Sequence, residues 1–301
     1  MIRFLRKINW GVALAGVLLF VAMHTTFAFA AEKLPPEKAY LHDVYKNMDK
    51  ISSVHYDLSL KAETPMGTVE TVINGEAQAK PLSMKNDANI TYRDMLNNEN
   101  TMLVKQYVEQ YQGNLIMYMF VNQTWVKQML PIDPVMKANL AANEKASSQA
   151  EMLQFIKSVK LLRETPAFKY MEVTLDTIKL SDAVGATVEQ DKMQNKEMQR
   201  AAAAGRLALL AAGDIKYTVK VDKATKMIKE IEMDLTEPIR KGAGLFLDIA
   251  EPKDKAAMKD FLAKSTLRMQ ATYSNFNQIV PIEIPQEVRD KAKDISPLSK
   301  V

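Results

Sequence analysis

Alternation of apolar and polar residues dominates the first half of the chain. Between residues 54 and 63, the even positions from Val54 to Ala62 are apolar or aromatic, whereas the odd positions are polar. The pattern returns over 68–80 and 82–92, and turn residues separate the three segments. A period of two is typical of a strand with one buried and one solvated face. The three segments therefore predict neighbouring strands of an antiparallel sheet.

Further strands are predicted along the rest of the chain. Segments 101–111 and 115–121 both read as strands, and the second is apolar on both faces, so we expect both faces to be covered. A hairpin is predicted over 215–235, where lysines on one strand would face acidic residues on the other across a solvated surface. Strands near 168–176 and over 266–276 complete the predicted sheet.

Apolar residues at helical spacing predict helices around these strands. Helices are expected over 35–50 and 253–264, and a short one after Pro285. In 150–163, five apolar residues recur at intervals typical of an amphipathic helix. The segment 188–212 is rich in alanine and leucine, which favour helix.

These elements together predict a single α+β domain over residues 31–301. Its antiparallel sheet would have one dry face, covered by helices, and one wet face. Helical insertions are expected near 134–163 and 188–212. We find no tandem repeat or low-complexity linker that would divide the domain.

Residues 1–30 have the three parts of a secretory signal peptide. Basic residues precede the uncharged apolar run 11–22, and Ala28 and Ala30 then form an A-x-A site before Ala31. The alternative is an uncleaved membrane anchor, but the run is short for a span of about 20 residues. We therefore expect export to the periplasm or exterior, with no stable membrane anchor after cleavage.

Composition removes several classes of chemistry. The chain has no cysteine, which excludes disulfides, thiol nucleophiles, cysteine-bound metals and the acylated cysteine of a bacterial lipoprotein. Loss of the leader and its three basic residues lowers the formal net charge from +4 to +1. Nothing in that balance favours nucleic acid as a partner.

Catalytic motifs are not visible in the sequence. There is no G-x-S-x-G, H-E-x-x-H or P-loop, and Lys241-Gly-Ala-Gly244 is interpreted as a loop. His42 and His55 have no neighbours at metal-ligand spacing. We therefore predict a protein that is not an enzyme, with no cofactor and no metal.

Methionine is unusually frequent, with 19 residues in the chain. Several fall on predicted inward faces, and flexible methionine side chains can line a pocket that adapts to apolar ligands. The alternative is that they only fill the core, and methionine taken alone favours that alternative.

Three motifs resemble the LolA-like superfamily of extracytoplasmic proteins. They are the Y-x6-W-x-K pattern of Tyr118, Trp125 and Lys127, the hairpin over 217–234 with its D-x-x-T turn, and the closing Tyr273–Pro285 segment. The resemblance implies a strongly curved, half-open antiparallel barrel with helices over its concave face, and a cavity that takes acyl chains in carrier members. It also implies an unanchored member, because the lipid-attachment cysteine is missing. No acyl-contact arginine of the carriers can be matched.

These observations favour a secreted or periplasmic binding protein that carries or shields a lipid or other apolar ligand. The alternative is an envelope sensor or protein-interaction module that uses the same fold to bind a protein partner. The third hypothesis, an enzyme, is the least favoured, because no catalytic group is visible. The sequence does not determine which face of strand 115–121 would line a cavity. The candidate lining residues are Tyr92, Tyr107, Met117, Met119, Ile231, Met233, Met269 and Tyr273.

Overall fold

The computed structural model describes residues 34–121, 123–131, 152–190, 196–247 and 252–295. In these residues the strands are β1 (Ser53–Thr64), β2 (Gly67–Gln78), β3 (Ser83–Asp94), β4 (Glu99–Tyr111), β5 (Asn114–Val121), β6 (Thr124–Pro131), β7 (Ile156–Glu164), β8 (Phe168–Leu175), β9 (Ile215–Asp222), β10 (Ile228–Asp234), β11 (Thr266–Ser274) and β12 (Lys293–Asp294). The helices are α1 (Pro36–Met48), α2 (Thr177–Gln190), α3 (Lys196–Ala212), α4 (Thr236–Leu247), α5 (Pro252–Lys264) and α6 (Gln286–Lys291), with a 3-10 helix at Met152–Phe155.

All the described strands belong to one sheet, in the order β12-β6-β5-β4-β3-β2-β1-β11-β10-β9-β8-β7. Strands β1 to β6 form one antiparallel meander and β7 to β11 form another, and the pairing of β1 with β11 joins them. Strand β12 pairs in parallel with β6 at one edge. The predicted α+β fold with an open, curved and mainly antiparallel sheet is confirmed.

Side-chain register divides the sheet into two faces. Leu58 lies opposite Ile73 on β2 and Ala271 on β11, and the row continues to Ala88 and Val104. These residues share a face because side chains alternate along each strand. We call the face that carries this row, and onto which α1 packs, the inner face, and the opposite one the outer face.

Helix α1 covers the inner face of β8, β9 and β10. Its Leu41 and Val44 are fully buried, as are Val219 and Val221 beneath them. The hydroxyls of Tyr45 on α1 and Tyr217 on β9 form a hydrogen bond of 3.0 Å. We call this part of the inner face the covered region.

A second, smaller core lies on the outer face of β4, β5 and β6. Ile284 and Val288 from the C-terminal segment pack there on Ile116 and Tyr118. The Arg289 guanidinium donates two hydrogen bonds, of 2.7 and 2.9 Å, to the two carboxylate oxygens of Glu109 on β4. A bidentate pair of this kind fixes orientation as well as distance. The C-terminal segment is therefore fastened across the outer face.

The predicted helix over 150–163 is wrong. Met152–Phe155 form one 3-10 turn, and Ile156–Glu164 is the edge strand β7. The pairing of β7 with β8 shifts register after Ile156 and again after Leu161. Each irregularity moves the following apolar residues out of phase, so Ile156, Val159 and Leu162 of the strand recur at intervals of three. The other predicted insertion residues, up to residue 151, lie outside the described residues.

Two other helix assignments can be compared with the structure. The segment 188–212 is helical at its start and again over α3, and the residues between lie outside the described ones. The predicted loop at Lys241-Gly-Ala-Gly244 is wrong, because it lies inside α4. A Cβ on Gly242 would come within 3.0 Å of the Ala208 carbonyl oxygen, so the glycine allows α3 and α4 to approach closely.

The predicted signal peptide lies outside the described residues. Among the residues that are described, no helix combines the length and the apolar character needed to cross a membrane.

Candidate functional site

The inner face of β1 to β6 carries no charged side chain along the central length of the strands. Its only ionised group at a strand end is Asp94, whose carboxylate accepts hydrogen bonds from the amides of Leu96 and Asn98 in its own turn. The outer face of the same strands is rich in charge, as at Lys61, Glu70 and others. The inner positions are Val54, Tyr56, Leu58, Leu60, Ala62, Val69, Thr71, Ile73, Gly75, Ala77, Met84, Asn86, Ala88, Ile90, Tyr92, Met102, Val104, Gln106, Val108, Leu115, Met117, Met119, Val121, Thr124, Val126 and Gln128.

Many apolar side chains on this face are only half-buried. We call the inner face of β1 to β6 the half-buried region. In the covered region, by contrast, Met171, Val173, Val219 and Val221 directly beneath α1 are almost completely removed from solvent. Apolar surface of this kind, held on a rigid sheet, is suited to binding an apolar ligand. The half-buried apolar residues include Leu58, Leu60, Ile73, Ile90, Met102, Val104, Met117 and Val126.

One row of polar side chains crosses this apolar surface. The Tyr56 hydroxyl donates a hydrogen bond to the Asn86 side-chain oxygen. The Asn86 amide in turn donates to the Gln106 side-chain oxygen at 3.2 Å, and the Gln106 amide donates to the Met117 sulfur at 2.8 Å. The chain of bonds runs from β1 to β5 and leaves one polar line on a face that is otherwise apolar. We call these four side chains the polar row.

A glycine makes the polar row possible. Gly75 on β2 lies between Tyr56 and Asn86 in the strand register. A Cβ built on Gly75 would collide with the Tyr56 ring and lie 2.5 Å from the Asn86 side-chain oxygen. Tyr56 therefore reaches across β2 only because residue 75 has no side chain.

Two tyrosine hydroxyls on the inner face, those of Tyr56 and Tyr273, have raised pKa values. Burial raises the pKa of the Tyr56 hydroxyl above its usual value. Burial, with a smaller contribution from Tyr45, raises the pKa of Tyr273 to about 12. Both hydroxyls stay protonated at physiological pH, so they can donate hydrogen bonds but do not suit general-base chemistry.

Thr71 is a further polar group on this face. Its side chain is 6% exposed, and its hydroxyl oxygen has no hydrogen-bond partner within the part of the chain that the structure describes. Leu60 and Ile90 flank it on the adjacent strands. A buried hydroxyl without a partner is unfavourable, so Thr71 is a point at which this face leaves a polar atom unsatisfied beneath its apolar surface.

Seven of the eight predicted lining residues lie on the inner face. Tyr107 lies on the outer face, where its ring centroid is 5.8 Å from that of Trp125 in the second core. It pairs with Tyr118, the outer-face neighbour of Met117, so it cannot share a surface with the methionine. The strand 115–121 directs Met117 and Met119 inward. The seven inner residues are Tyr92, Met117, Met119, Ile231, Met233, Met269 and Tyr273.

The polar row was not predicted from the sequence. Asn86 and Gln106 each interrupt an apolar alternation, and Gly75 looks like a weak point in a strand. A polar residue at an inner position is the signal that could have identified them. Their alignment depends on the strand register, which the sequence pattern does not determine across three turns.

Two clefts lie away from the inner face. One, of about 520 Å³, lies between the C-terminal segment and the β2–β3 turn, and Glu109 and Arg289 are among its lining residues. The other, of about 510 Å³, is on the outer face and has charges of both signs, including Lys61, Glu172 and Arg268. Within the described ranges, no group of His, Asp and Glu side chains could hold a metal ion.

Comparison with known proteins gives a family and a set of distant structures. Residues 40–293 match the model of DUF6612, a family of unknown function. No curated protein matches the sequence.

The solved structures to which the chain is similar include the following three. The lipoprotein LppX from Mycobacterium tuberculosis has 10% identity and a TM-score of 0.40 over 83% of this chain and 100% of that chain. LprF from Mycobacterium bovis has 12% identity and a TM-score of 0.42 over 85% and 99%. A DUF1329 family protein from Desulfovibrio piger has 11% identity and a TM-score of 0.27 over 83% and 96%. These similarities are too low to carry a functional argument.

Proposed function

The chain belongs to the DUF6612 family, whose function is unknown, and we propose from the structure of its sheet that it is a non-enzymatic protein that carries or shields an apolar ligand, such as an acyl chain or lipid. The ligand would lie on the half-buried region of the inner face. This region offers apolar side chains on a sheet whose shape is fixed by hydrogen bonding along every strand.

The observation that carries the proposal is the half-burial of an uncharged apolar face. Leu60, Ile90 and Val104 are aliphatic yet remain half-buried, whereas Val219 on the same face is completely buried beneath α1. Each CH2 group that a ligand buries there would contribute about 0.8 kcal/mol. An acyl chain on this face would therefore bind through many small, non-directional contacts.

The compartment and the extent of the domain are part of the proposal. The signal-peptide pattern of residues 1–30 supports export to the periplasm or exterior. The single sheet that runs through all the described strands supports one domain over 31–301. A protein without cysteine forms no disulfide in such a compartment, so its fold depends on non-covalent contacts alone.

Native mass spectrometry of the protein purified from its own cell envelope tests the proposal. We expect a mass above that of the polypeptide, which organic extraction returns to the polypeptide mass. A protein that is always free of ligand and binds no apolar probe would contradict the proposal. A stoichiometric protein partner, recovered by crosslinking in cells without any lipid, would instead favour the interaction module.

Adjacent residues of β4 provide a matched pair of variants for a binding assay. Val104 lies on the inner face and Leu103 on the outer face, where it is 46% exposed. The probe is N-phenyl-1-naphthylamine, an uncharged fluorophore. We expect Val104→Asn to weaken its binding about tenfold, because a polar amide replaces an apolar contact, and Leu103→Asn to change it less than about twofold. Equal effects of the two variants would place the probe elsewhere.

A further inference from the structure

The polar row suggests which apolar ligands the inner face accepts. On the basis of the proposed function, we propose that the half-buried region selects uncharged amphiphiles, whose ester or amide carbonyl accepts a hydrogen bond from the Gln106 side chain. Fatty acids and other amphiphiles with an ionised head group would be discriminated against.

The inner face carries no charge where the polar row crosses it. Between Tyr56 and Tyr92, the inner positions of β1 to β3 include no lysine, arginine, histidine, aspartate or glutamate. An ionised head group that leaves water without a partner of opposite charge loses most of its hydration energy. A neutral head group loses much less, and it recovers that loss by making hydrogen bonds.

Gln106 is the donor best placed to make such a bond. Its amide donates to the Met117 sulfur, at 2.8 Å. A thioether is a weak acceptor, whereas an ester or amide carbonyl is a strong one. The Met117 side chain is unbranched and flexible, so a carbonyl oxygen could take its place.

The rest of the polar row holds Gln106 in position. The Gln106 side-chain oxygen accepts from Asn86, whose own oxygen accepts from Tyr56. Tyr56 and Asn86 are 7% and 8% exposed, so two buried side chains determine which end of the Gln106 amide carries the donor. The site therefore presents an N–H group, and not an acceptor, to the ligand.

Thr71 adds an independent polar contact on the same surface. It lies four residues from Gly75 on β2, which corresponds to roughly 13 Å along the strand. Its hydroxyl has no partner among the described residues. A ligand with a second neutral polar group, in addition to its carbonyl, would satisfy this buried hydroxyl as well if the flanking Leu60 or Ile90 side chain moved aside.

A displacement assay with the mature chain tests the selection. N-phenyl-1-naphthylamine is displaced by monoolein or by oleate, which share one acyl chain, at pH 8.5 and below the micelle concentration of each. We expect monoolein to bind at least about tenfold more tightly than oleate. Oleate binding as tightly as monoolein would overturn the proposed selection while leaving the proposed apolar site intact. Failure of all three compounds to bind would instead overturn the proposed function, and the selection with it.

A pair of variants tests the role of Gln106. In Gln106→Leu, the ratio of the affinities for monoolein and N-phenyl-1-naphthylamine should fall about fivefold, because the probe has no carbonyl. In the control Gln270→Leu, on the outer face of β11, the ratio should stay unchanged. An unchanged ratio in a folded Gln106→Leu protein would remove Gln106 from the proposal. If that variant fails to fold, the comparison of monoolein with oleate still decides whether the face selects against charge.

Discussion

The covered region and the half-buried region are built from the same pattern of alternating residues, yet they differ in what lies above them. Under α1, Val219 and Val221 are completely buried. Across β1 to β6, residues of equal apolarity such as Ile73 and Ile90 remain half-buried. The difference shows that alternation determines which face of a strand is apolar, but a distant segment of the chain determines whether that face becomes core. Only the first of these is visible in the local pattern.

The largest effect is expected from a matched pair of truncations, one in each region. Leu41 of α1 is fully buried, so Leu41→Ala should lower the free energy of unfolding by about 3 kcal/mol. Ile90→Ala in the half-buried region should lower it by about 1 kcal/mol, because less surface is lost from contact. Urea unfolding followed by circular dichroism measures both. Similar losses would mean that the two regions are equally packed.

A second substitution tests whether the side chains of the polar row are tightly packed, although they cross the half-buried region. Gly75→Ala should lower the free energy of unfolding by about 2 kcal/mol, since its Cβ would collide with Tyr56. The control is Gly205→Ala in α3, where an added Cβ meets nothing within 4 Å. That change should stabilise the protein by about 0.5 kcal/mol through helix propensity. A Gly75→Ala protein as stable as the wild type would show that Tyr56 can move aside.

Alkaline pH gives a smaller effect at the boundary of the covered region. The pKa of Tyr273 is raised to about 12 in the folded protein, above its usual value of 10.0. The stabilisation that the neutral Tyr273 hydroxyl gives the folded protein is therefore complete below pH 10. It is lost as the pH rises toward 12, because the unfolded chain loses the proton first. Between pH 9 and 11, Tyr273→Phe should lose about 1 kcal/mol less stability than the wild type. Parallel pH profiles for the two proteins would contradict this assignment.

The smallest effect is expected at Thr71. Thr71→Val keeps the shape of the side chain and removes a buried hydroxyl that has no partner among the described residues. We expect it to raise the free energy of unfolding of the ligand-free protein by roughly 0.5 kcal/mol. The control is Thr91→Val, where the hydroxyl is 3.1 Å from that of Thr101 on the outer face. Destabilisation by Thr71→Val would show that the hydroxyl is satisfied in solution.

The strands of the sheet could largely be predicted, because alternation depends only on neighbouring residues. Strand β7 could not, since its two register shifts give apolar residues the spacing of a helix. Gly242 and Gly244 suggested a loop, whereas Gly242 is needed for the contact between α3 and α4. A local sequence pattern does not identify the secondary structure where a residue is required for a contact with a distant part of the chain.

The candidate site was predictable in its apolar part only. Most of the proposed lining residues follow from the parity of the strand positions. Tyr107 was misplaced relative to Met117 because the alignment of β4 with β5 depends on the turn between them. Tyr56, Asn86 and Gln106 come from three separate strands, and the hydrogen bonds that join them exist only in the folded sheet.

The pairing of β1 with β11 has a consequence for the order of events during synthesis. Strand β1, which contains Tyr56, acquires its second neighbour only after β11, which contains Tyr273, has been synthesised. Contacts this distant in sequence form slowly and late. A nascent chain that ends before β11 therefore holds two unconnected meanders, with unpaired strand edges at β1 and β10 that can recruit other chains. Strand β11, the last strand of the second meander, thus joins two aggregation-prone fragments into one sheet, and its pairing with β1 sets the moment at which the inner face first runs unbroken from the half-buried region to the covered region.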